Sequence, residues 1–443
     1  MALCTLGCKV NQYETQAICE LFERAGYRTV PFDMPADVYV INTCSVTSMS
    51  ERKSRQMIRR ARRLRPDAVI VVTGCYAQTA PDKVAQIEGV SLIIGTSDRQ
   101  SIVALAEKAR TEQPIQHVHD IMQTRTFEPL SVSTYTGRVR AYIKAQEGCS
   151  QFCSYCIIPY ARGPVRSRPL PEILQEAHRL AEAGFCELVL VGIHIASYGR
   201  DLADGTDLME MIRALNEIDG IRRIRLSSIE PMFLDERFLS AVQCADKLCD
   251  HFHISLQSGC DETLRRMNRR YTTAAFQKIV TAIRAAYPDA AVTTDIMVGF
   301  PQESEAEFSE SLSFVDAMDF ADAHVFAYSR RRGTRADLMD GQIDDAVKHR
   351  RSEEMIALAR RHHMQFLQRF VGRSMEVLFE QVWEERPGYY IGKTTNYLDV
   401  VCKSETDLTG QFRMVRVTGL DGGVLRGAIS SSDCVKIDIG HTK

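Results

Sequence analysis

The chain has 443 residues, 45% apolar and 25% charged, with a formal net charge of −2. That length supports two or three packed domains, and the near-neutral balance excludes a polycation, so any nucleic-acid contact must come from local basic patches. Fourteen cysteines, with no secretory or lipoprotein signal in MALCTLGCKVN and no apolar run near the ~18 residues of a membrane span, point to reduced thiols in the cytoplasm rather than a disulfide framework.

Residues 1–110 alternate apolar runs with amphipathic stretches. ALCTLGC, DVYVINTC, AVIVVTGC and VSLIIGTS read as strands; NQYETQAICELFERAG, the stretch from Ser48 through RQMIRRARRL, and RQSIVALAEKA read as helices. Val- and Ile-rich runs separated by helices predict a parallel α/β sheet. Cys8, Cys44 and Cys75 each stand at the carboxyl end of such a strand, where open α/β sheets bind ligands. Three thiols from three strands can therefore meet at one point; the plainer alternative is three unrelated buried cysteines. Cys4, inside a strand, and Cys19, inside a helix, read as core residues.

From about residue 138 to 330 the alternation continues. VRAYIKAQ, CELVLVGIHI, RIRLSS, HFHISLQSG, AVTTDIMVGF and DAHVFAYS are strands, with helices such as PEILQEAHRLAEAG between them. Six βα units predict an open, partial barrel. Just past its first strand, EGCSQFCSYC sets Cys149, Cys153 and Cys156 in a C-x₃-C-x₂-C triplet. Thiolates are the usual holders of iron–sulfur clusters. Three of them on a four-iron cube leave one iron free, as catalytic metal sites keep an open position. The alternative is a zinc site completed by a distant ligand. No Ser/His/Asp or HExxH arrangement competes for the chemistry.

With Tyr155 before its last cysteine, the triplet resembles the radical S-adenosylmethionine signature. There the free iron chelates the amino and carboxylate groups of the methionine moiety, and an electron cleaves the sulfonium to a 5′-deoxyadenosyl radical. The resemblance implies cofactor contacts at Tyr155, at Gly192 in VGIHIASYG (methionine amino group) and at Glu230 in LSSIEP (ribose hydroxyls). Gly299 and Pro301 in DIMVGFPQE would approach the adenine, and Gln257 and Asp295 are further cofactor-side positions. Loop turns and solvated acids are the alternatives. His251 and His253, on one face of a strand, read as interior hydrogen-bonding groups rather than metal ligands. Cys186, Cys244, Cys249 and Cys260 lack ligand-like grouping.

TLGCKVNQYET, INTCSVT, VVTGCYAQ, EGCSQFCSYCIIPYARGPVRSR, RLSSIEP, HISLQSG and TDIMVGFP together resemble the radical S-adenosylmethionine methylthiotransferases over almost the whole chain. Within that family, Lys9, Val10 and Gln12 of the first stretch are similar to the branch acting on threonylcarbamoyladenosine beside the tRNA anticodon. They differ from the isopentenyladenosine branch and the ribosomal-protein branch, which remain the same-chemistry alternatives. The resemblance implies that Cys8, Cys44 and Cys75 bind a second [4Fe–4S] cluster bearing the sulfur to be inserted. One S-adenosylmethionine would methylate that sulfur, and a second would supply the radical that takes hydrogen from carbon 2 of the adenine. An electron donor and a sulfur source are implied partners. Such a C–H bond is beyond acid–base catalysis, typically worth ~10²–10⁴-fold, and needs a cofactor. Arg330, Arg332 and Arg335 stand where the family tends to have proline, which predicts a less stiff loop; Pro164 stands where a basic residue is common.

Basic residues cluster despite the acidic total: Glu51 to Arg65 holds eight Lys or Arg against one acid, and LRRMNRR, SRRRGTR and ARRHHMQFLQR are further groups. Such groups supply phosphate affinity, although each could be a solvated helix face. After a polar helix from about Asp344 to Phe370, short alternating stretches predict a small β-barrel that resembles the OB-like TRAM module. Tyr389, Tyr390 and Tyr397 among Lys393 and Lys403 have a stacking-plus-charge composition suited to RNA; core aromatics are the alternative. Cys402 and Cys434 read as packing residues. The domains expected are 1–112 (α/β), 135–370 (partial barrel and connecting helix) and 371–440 (TRAM). A different-class alternative is a non-enzymatic, zinc-containing RNA-binding protein.

Overall fold

The computed structural model describes residues 1–112, 114–135 and 137–429; Cys434 lies outside them. The first sheet runs β1 (Ala2–Thr5), β2 (Val38–Thr43), β3 (Val69–Gly74), β4 (Val90–Ile94) and β5 (Ile115–His117) in sequence order, all parallel. Alternate residues serve two cores. Tyr39, Ile41, Ile70 and Val72 pack on helix Ser48–Leu64, whereas Val38, Val40, Val69 and Val71 pack on helices Lys9–Arg24 and Ile102–Lys108. Burial on both faces explains the unbroken apolar runs. β5 is an edge strand too short and polar to read from sequence.

The middle of the chain forms two arcs. One is β7 (Arg166–Ser167), β6 (Arg140–Glu147), β8 (Glu187–Gly192) and β9 (Arg223–Leu226); the other is β10 (His251–His253), β11 (Ala291–Val298) and β12 (Asp322–Ala327). Isolated bridges Ile224–Leu248 and Ile229–Ile254 join them into a partial barrel. Outward residues Ile143, Leu188, Leu190, Ile224, Phe252 and Val292 pack under the surrounding helices in the largest core. Many of the inward positions are polar: Lys144, Glu187, Arg223, Arg225, His251 and His253 are all buried.

Helix Lys9–Arg24 belongs to both halves. Ile18 and Phe22 pack on the first sheet, Tyr13 and Ala17 enter the barrel core, and Val10 packs on Val189 and Val191 inside the lumen. The last five strands, β13 (Ser374–Val382), β14 (Tyr389–Lys393), β15 (Asp399–Lys403), β16 (Phe412–Asp421) and β17 (Val424–Ile429), close into a barrel in the order β13-β14-β15-β17-β16. It caps the lower end of the lumen. Arg223 reaches the Glu376 carbonyl at 2.9 Å, and Arg225 reaches the Thr395 carbonyl at 2.8 Å. Helix Asp345–Gln368 ties the two together, with Met355 and Leu358 in one core and Phe366 and Leu367 in the other. Among the described residues, no helix is long and apolar enough to cross a membrane.

Candidate active site

Cys8 immediately precedes helix Lys9–Arg24, Cys44 follows β2, and Cys75 opens the short helix Cys75–Thr79 after β3. The three thiols converge. Burial raises all three, Arg162 opposes that rise on each, and each thiol disfavours the charged form of another: Cys44 acts on Cys8, Cys75 on Cys44, and Cys8 on Cys75. Cys8 keeps an exposed surface although its surroundings are dense enough to disfavour its thiolate. Gly7 makes the convergence possible. Its φ is +102°, and a Cβ there would sit 2.9 Å from Cys44 Cβ and 3.0 Å from Cys44 Sγ, so any side chain would force the second thiol away.

Cys149, Cys153 and Cys156 follow β6 on a loop curled by Phe152, which has φ +50°. A non-glycine residue in that region is held there by its surroundings. Asn268 donates to the Phe152 carbonyl at 3.0 Å, the Ser154 amide donates to the Met267 carbonyl at 2.9 Å, and the Cys156 amide donates to the Cys153 carbonyl at 2.9 Å. Arg269 is the resident cation. Its Nη1 lies 3.4 Å from Cys153 Sγ and 2.7 Å from a Glu230 carboxylate oxygen. Burial pushes the Cys149 thiol up to about 11 and Cys156 further still.

These donor sets suit clusters rather than a single ion. The groups of three ligand atoms within 4.8 Å of one another, among the described residues, are Asp98–His117–His119 and His253–Asp295–His324; neither cysteine trio is that tight. Tetrahedral zinc at ~2.3 Å from each sulfur would need sulfurs about 3.8 Å apart, whereas thiolates on different irons of a cube stand wider. A guanidinium beside each trio offsets the negative charge of a thiolate-ligated cluster.

Sequence reasoning gave Arg162 no role. It is fully buried and joins the two trios: it sits on helix Ile158–Arg162, directly after the Cys149–Cys156 loop, yet its Nε donates to Cys75 Sγ at 3.2 Å. Its Nη1 and Nη2 donate to Glu14 at 2.5 and 3.1 Å, to Glu147 at 3.2 Å and to Asn11 Oδ1 at 2.5 Å. Lys144 pairs with Glu14 at 2.7 Å and also with Glu147, and Arg99 pairs with Glu14 at 2.7 Å and also with Glu128. These cations hold the Glu14 and Glu147 carboxyls below their usual range against strong burial.

The remaining candidates separate. Glu230 joins Arg269, Cys153, Phe233 and Tyr271 around a small cavity of about 150 Å³. Tyr155 packs on Phe300 and Met297 beneath the triplet. Gly192, at the end of β8, lies against Gln146, whose Oε1 accepts from the His194 amide at 2.7 Å. Gln257, at φ +69°, has a buried Oε1 with no partner among the described residues. Gly299 has a reason internal to the fold: φ is +70°, its amide donates to Glu303 at 2.7 Å, and a Cβ would meet Lys348 of helix Asp345–Gln368 at 2.4 Å. Pro301 is buried in the following turn. Asp295 stands apart from Glu230, in a lower cavity between His253 (3.2 Å) and His324 (3.3 Å). The two strand histidines make the expected interior bonds, both to Thr293 Oγ1, at 3.2 and 3.0 Å.

Of the basic groups, one forms an open groove. Arg55, Arg59, Arg62, Arg63 and Lys83 line a concavity of about 660 Å³ beside Tyr76. In the others some arginines are paired, Arg266 to Glu307, Arg269 to Glu230, Arg330 to Asp337, Arg331 to Glu51, and Arg361 to Asp316, while Arg270, Arg332, Arg335 and Arg360 stay exposed. The Arg330 and Arg331 pairs, with the Ala336 amide donating to the Ser154 carbonyl at 2.7 Å, hold the 329–335 loop where proline was absent. Tyr397 faces inward and stacks on His251, with centroids 4.7 Å apart.

Residues 1–95 match the family described as uncharacterized protein family UPF0004, and residues 143–315 match the radical SAM superfamily. The chain is 42% identical over 420 residues to threonylcarbamoyladenosine tRNA methylthiotransferase MtaB of Bacillus subtilis, covering 94% of this chain and 93% of that protein. It is 34% identical over 417 residues to the MtaB of Thermotoga maritima, covering 94% of each. With the tRNA-2-methylthio-N(6)-dimethylallyladenosine synthase of Acetivibrio thermocellus it shares 33% over 434 residues, 96% of this chain and 90% of that one. Among solved structures, the radical S-adenosylmethionine methyltransferase TsrM of Kitasatospora setae shares the fold, with a TM-score of 0.54 at 16% identity over 73% of each chain.

Proposed function

The chain belongs to the radical S-adenosylmethionine methylthiotransferase family, and from that premise we propose that it converts N6-threonylcarbamoyladenosine of tRNA to its 2-methylthio derivative. Its relatives of that name and its Lys9–Val10–Gln12 stretch support this substrate over the dimethylallyl one. When bound, two [4Fe–4S] clusters and S-adenosylmethionine supply the radical and the sulfur. Cys149, Cys153 and Cys156 would hold one cluster and Cys8, Cys44 and Cys75 the other. An electron donor and a sulfur source complete the partners.

One observation carries the reading. Arg162 reaches from the helix after one trio's loop to a sulfur of the other, which supports both trios serving one lumen. The chain's own tasks follow. Arg269 and Arg162 stabilise thiolate at each trio. Glu230, beside Arg269, offers a carboxylate for sugar hydroxyls; Tyr155, Gly192, Gln257, Gly299 and Pro301 would shape the remaining S-adenosylmethionine surface, with Asp295 below them. The Arg55–Lys83 groove would hold RNA phosphates. We divide the chain into residues 1–112, 135–370 and 371–440, a division that separate apolar cores support and whose last part runs beyond the described residues.

The test is reconstituted enzyme, reductant and tRNA bearing threonylcarbamoyladenosine, with nucleosides resolved by mass spectrometry. Wild type should form the methylthio product. Cys75→Ala should still cleave S-adenosylmethionine reductively but insert no sulfur; normal product from that variant would exclude the second trio's role.

A further inference from the structure

Below the cysteine trios the lumen widens into a cavity of about 500 Å³, within the ~300–1,000 Å³ of small-molecule sites. Of the S-adenosylmethionine positions proposed above, only Asp295 lines it. Lys9 enters from one wall, Ser227 and His251 from another, Asp295 and His324 from a third, and Tyr397 forms the floor.

Among the described residues, two charged groups lining the cavity have no ion-pair partner, Lys9 and Asp322, and Asp322 accepts the Ala323 amide at 2.8 Å. Asp295 is taken by His253 and His324. Lys393 is bound by Asp399 at 2.8 Å. Arg140 and Arg225, behind the floor, are satisfied by Glu380 and Glu187, each at 2.8 Å. The ammonium of Lys9 faces Tyr397, His251 and His324 and has no acceptor or carboxylate partner among the described residues. In the same cavity lining, Ser227 Oγ and His251 Nδ1 are buried without partners among the described residues. Buried polar groups left unpaired cost free energy, and a ligand that pairs them recovers it.

We propose that this cavity seats the threonylcarbamoyl arm of the substrate nucleoside, with Lys9 holding its carboxylate and Ser227 and His251 meeting its hydroxyl and carbamoyl groups. The proposal deepens the substrate reading above and rests on it. The arm carries one anion for one unpaired cation, and polar atoms for the unpaired polar atoms. A branched hydrocarbon arm would leave all three groups desolvated, which is how a site built for polar contacts rejects an apolar analogue. Lys9 also directly follows Cys8, so an arm anchored there leaves its adenine beside the second trio. Lys9, Ser227 and His251 are thus specificity-determining residues.

The test titrates cluster-loaded enzyme with three anticodon stem-loops differing in one nucleoside: threonylcarbamoyladenosine, its carboxylate methyl ester, and plain adenosine. Wild type should bind the acid at least ~10-fold more tightly than the ester. Lys9→Met should bring the acid down to the ester's affinity, and Lys9→Arg should retain most of the preference. Ser227→Leu, which replaces no cysteine and no neighbour of one in sequence, should weaken acid and ester alike and spare plain adenosine. It also keeps the test decisive if Lys9→Met loses iron. Indifference of wild type to the ester, or an equal loss on plain adenosine in Lys9→Met (a phosphate contact), overturns the pocket. If wild type neither prefers nor methylthiolates the modified RNA, the substrate reading fails instead.

Discussion

Replacing Arg162 with methionine keeps a long unbranched side chain and removes one buried charge. In the wild type three buried or nearly buried cations, Arg99, Lys144 and Arg162, pair with three acids, Glu14, Glu128 and Glu147. The variant leaves two cations against three acids and strips Cys75 Sγ of its only guanidinium donor among the described residues. Breaking such a pair typically costs ~3–5 kcal/mol, because the remaining charge stays buried and under-compensated. That is a large part of the ~5–15 kcal/mol by which proteins are stable. Urea unfolding followed by circular dichroism should show this loss, and iron content after reconstitution should fall from about eight per chain toward four. The double variant Arg162→Met/Glu14→Gln restores the balance of two against two and should recover at least ~1 kcal/mol relative to the sum of the single losses. A single variant within ~0.5 kcal/mol of wild type with full iron, or a strictly additive double variant, would refute the argument.

Gly7→Ala should lose iron from the second trio alone, because a methyl at φ +102° lies 2.9 Å from Cys44 Cβ; electron paramagnetic resonance would still report the first cluster, and full iron in this variant would contradict the packing argument. Reversing Arg59, Arg62 and Arg63 to Glu should reduce the salt slope of tRNA binding by ~2–3, at roughly 0.9 per lost phosphate contact, and an unchanged slope would move the RNA elsewhere. Glu187→Gln leaves Arg223 and Arg225 without their shared acid, at ~3 kcal/mol near neutrality. Those arginines hold the Glu187 carboxyl below its ordinary 4.5. A depressed acid stabilises above its unfolded value and loses that contribution as pH falls through the folded one. The stability gap between this variant and wild type should therefore narrow as pH falls below 4.5 toward the lowered folded value; a constant gap would show that the pair is not what stabilises the lumen.

Much of this was legible where one rule acts alone. Strands ending in Cys8, Cys44 and Cys75, the six βα units and the C-x₃-C-x₂-C loop all follow from periodicity and strand-end placement. Lys144 within VRAYIKAQ and the two arginines of RIRLSS also carried a signal, since charge alternating with apolar residues in a buried strand means a polar inner face. The pairing of those charges was not legible, because Glu14, Arg99 and Arg162 meet only after two sheets dock. The basic groups show the same limit: tertiary contacts supply Arg266, Arg330, Arg331 and Arg361 each with an acid, a pairing that no sequence pattern announces. Tyr397 likewise has an RNA-stacking neighbourhood in sequence and a lumen-facing ring in the fold.

Buried ion networks are a poor source of stability, since hydrophobic replacements often do as well; their use here follows from what the reaction demands. Transfer between two cofactor sites tolerates little misplacement, and errors near 1 Å can cost ~10²-fold. Apolar packing alone leaves a docked sheet free to slide by small amounts. A guanidinium with fixed donors does not, and Arg162 uses its donors on Cys75, Asn11, Glu14 and Glu147 at once. Helix Lys9–Arg24 supplies the other half of the registry: Cys8 precedes it, Lys9 enters the lumen, Asn11 and Glu14 receive Arg162, and Tyr13 is locked in the barrel core by bonds to the Leu130 carbonyl and Glu176. Cys8 and Cys75 both stand at helix starts, where unpaired amides favour thiolate. One helix and one arginine thus tie Cys8, Cys44 and Cys75 to the barrel lumen.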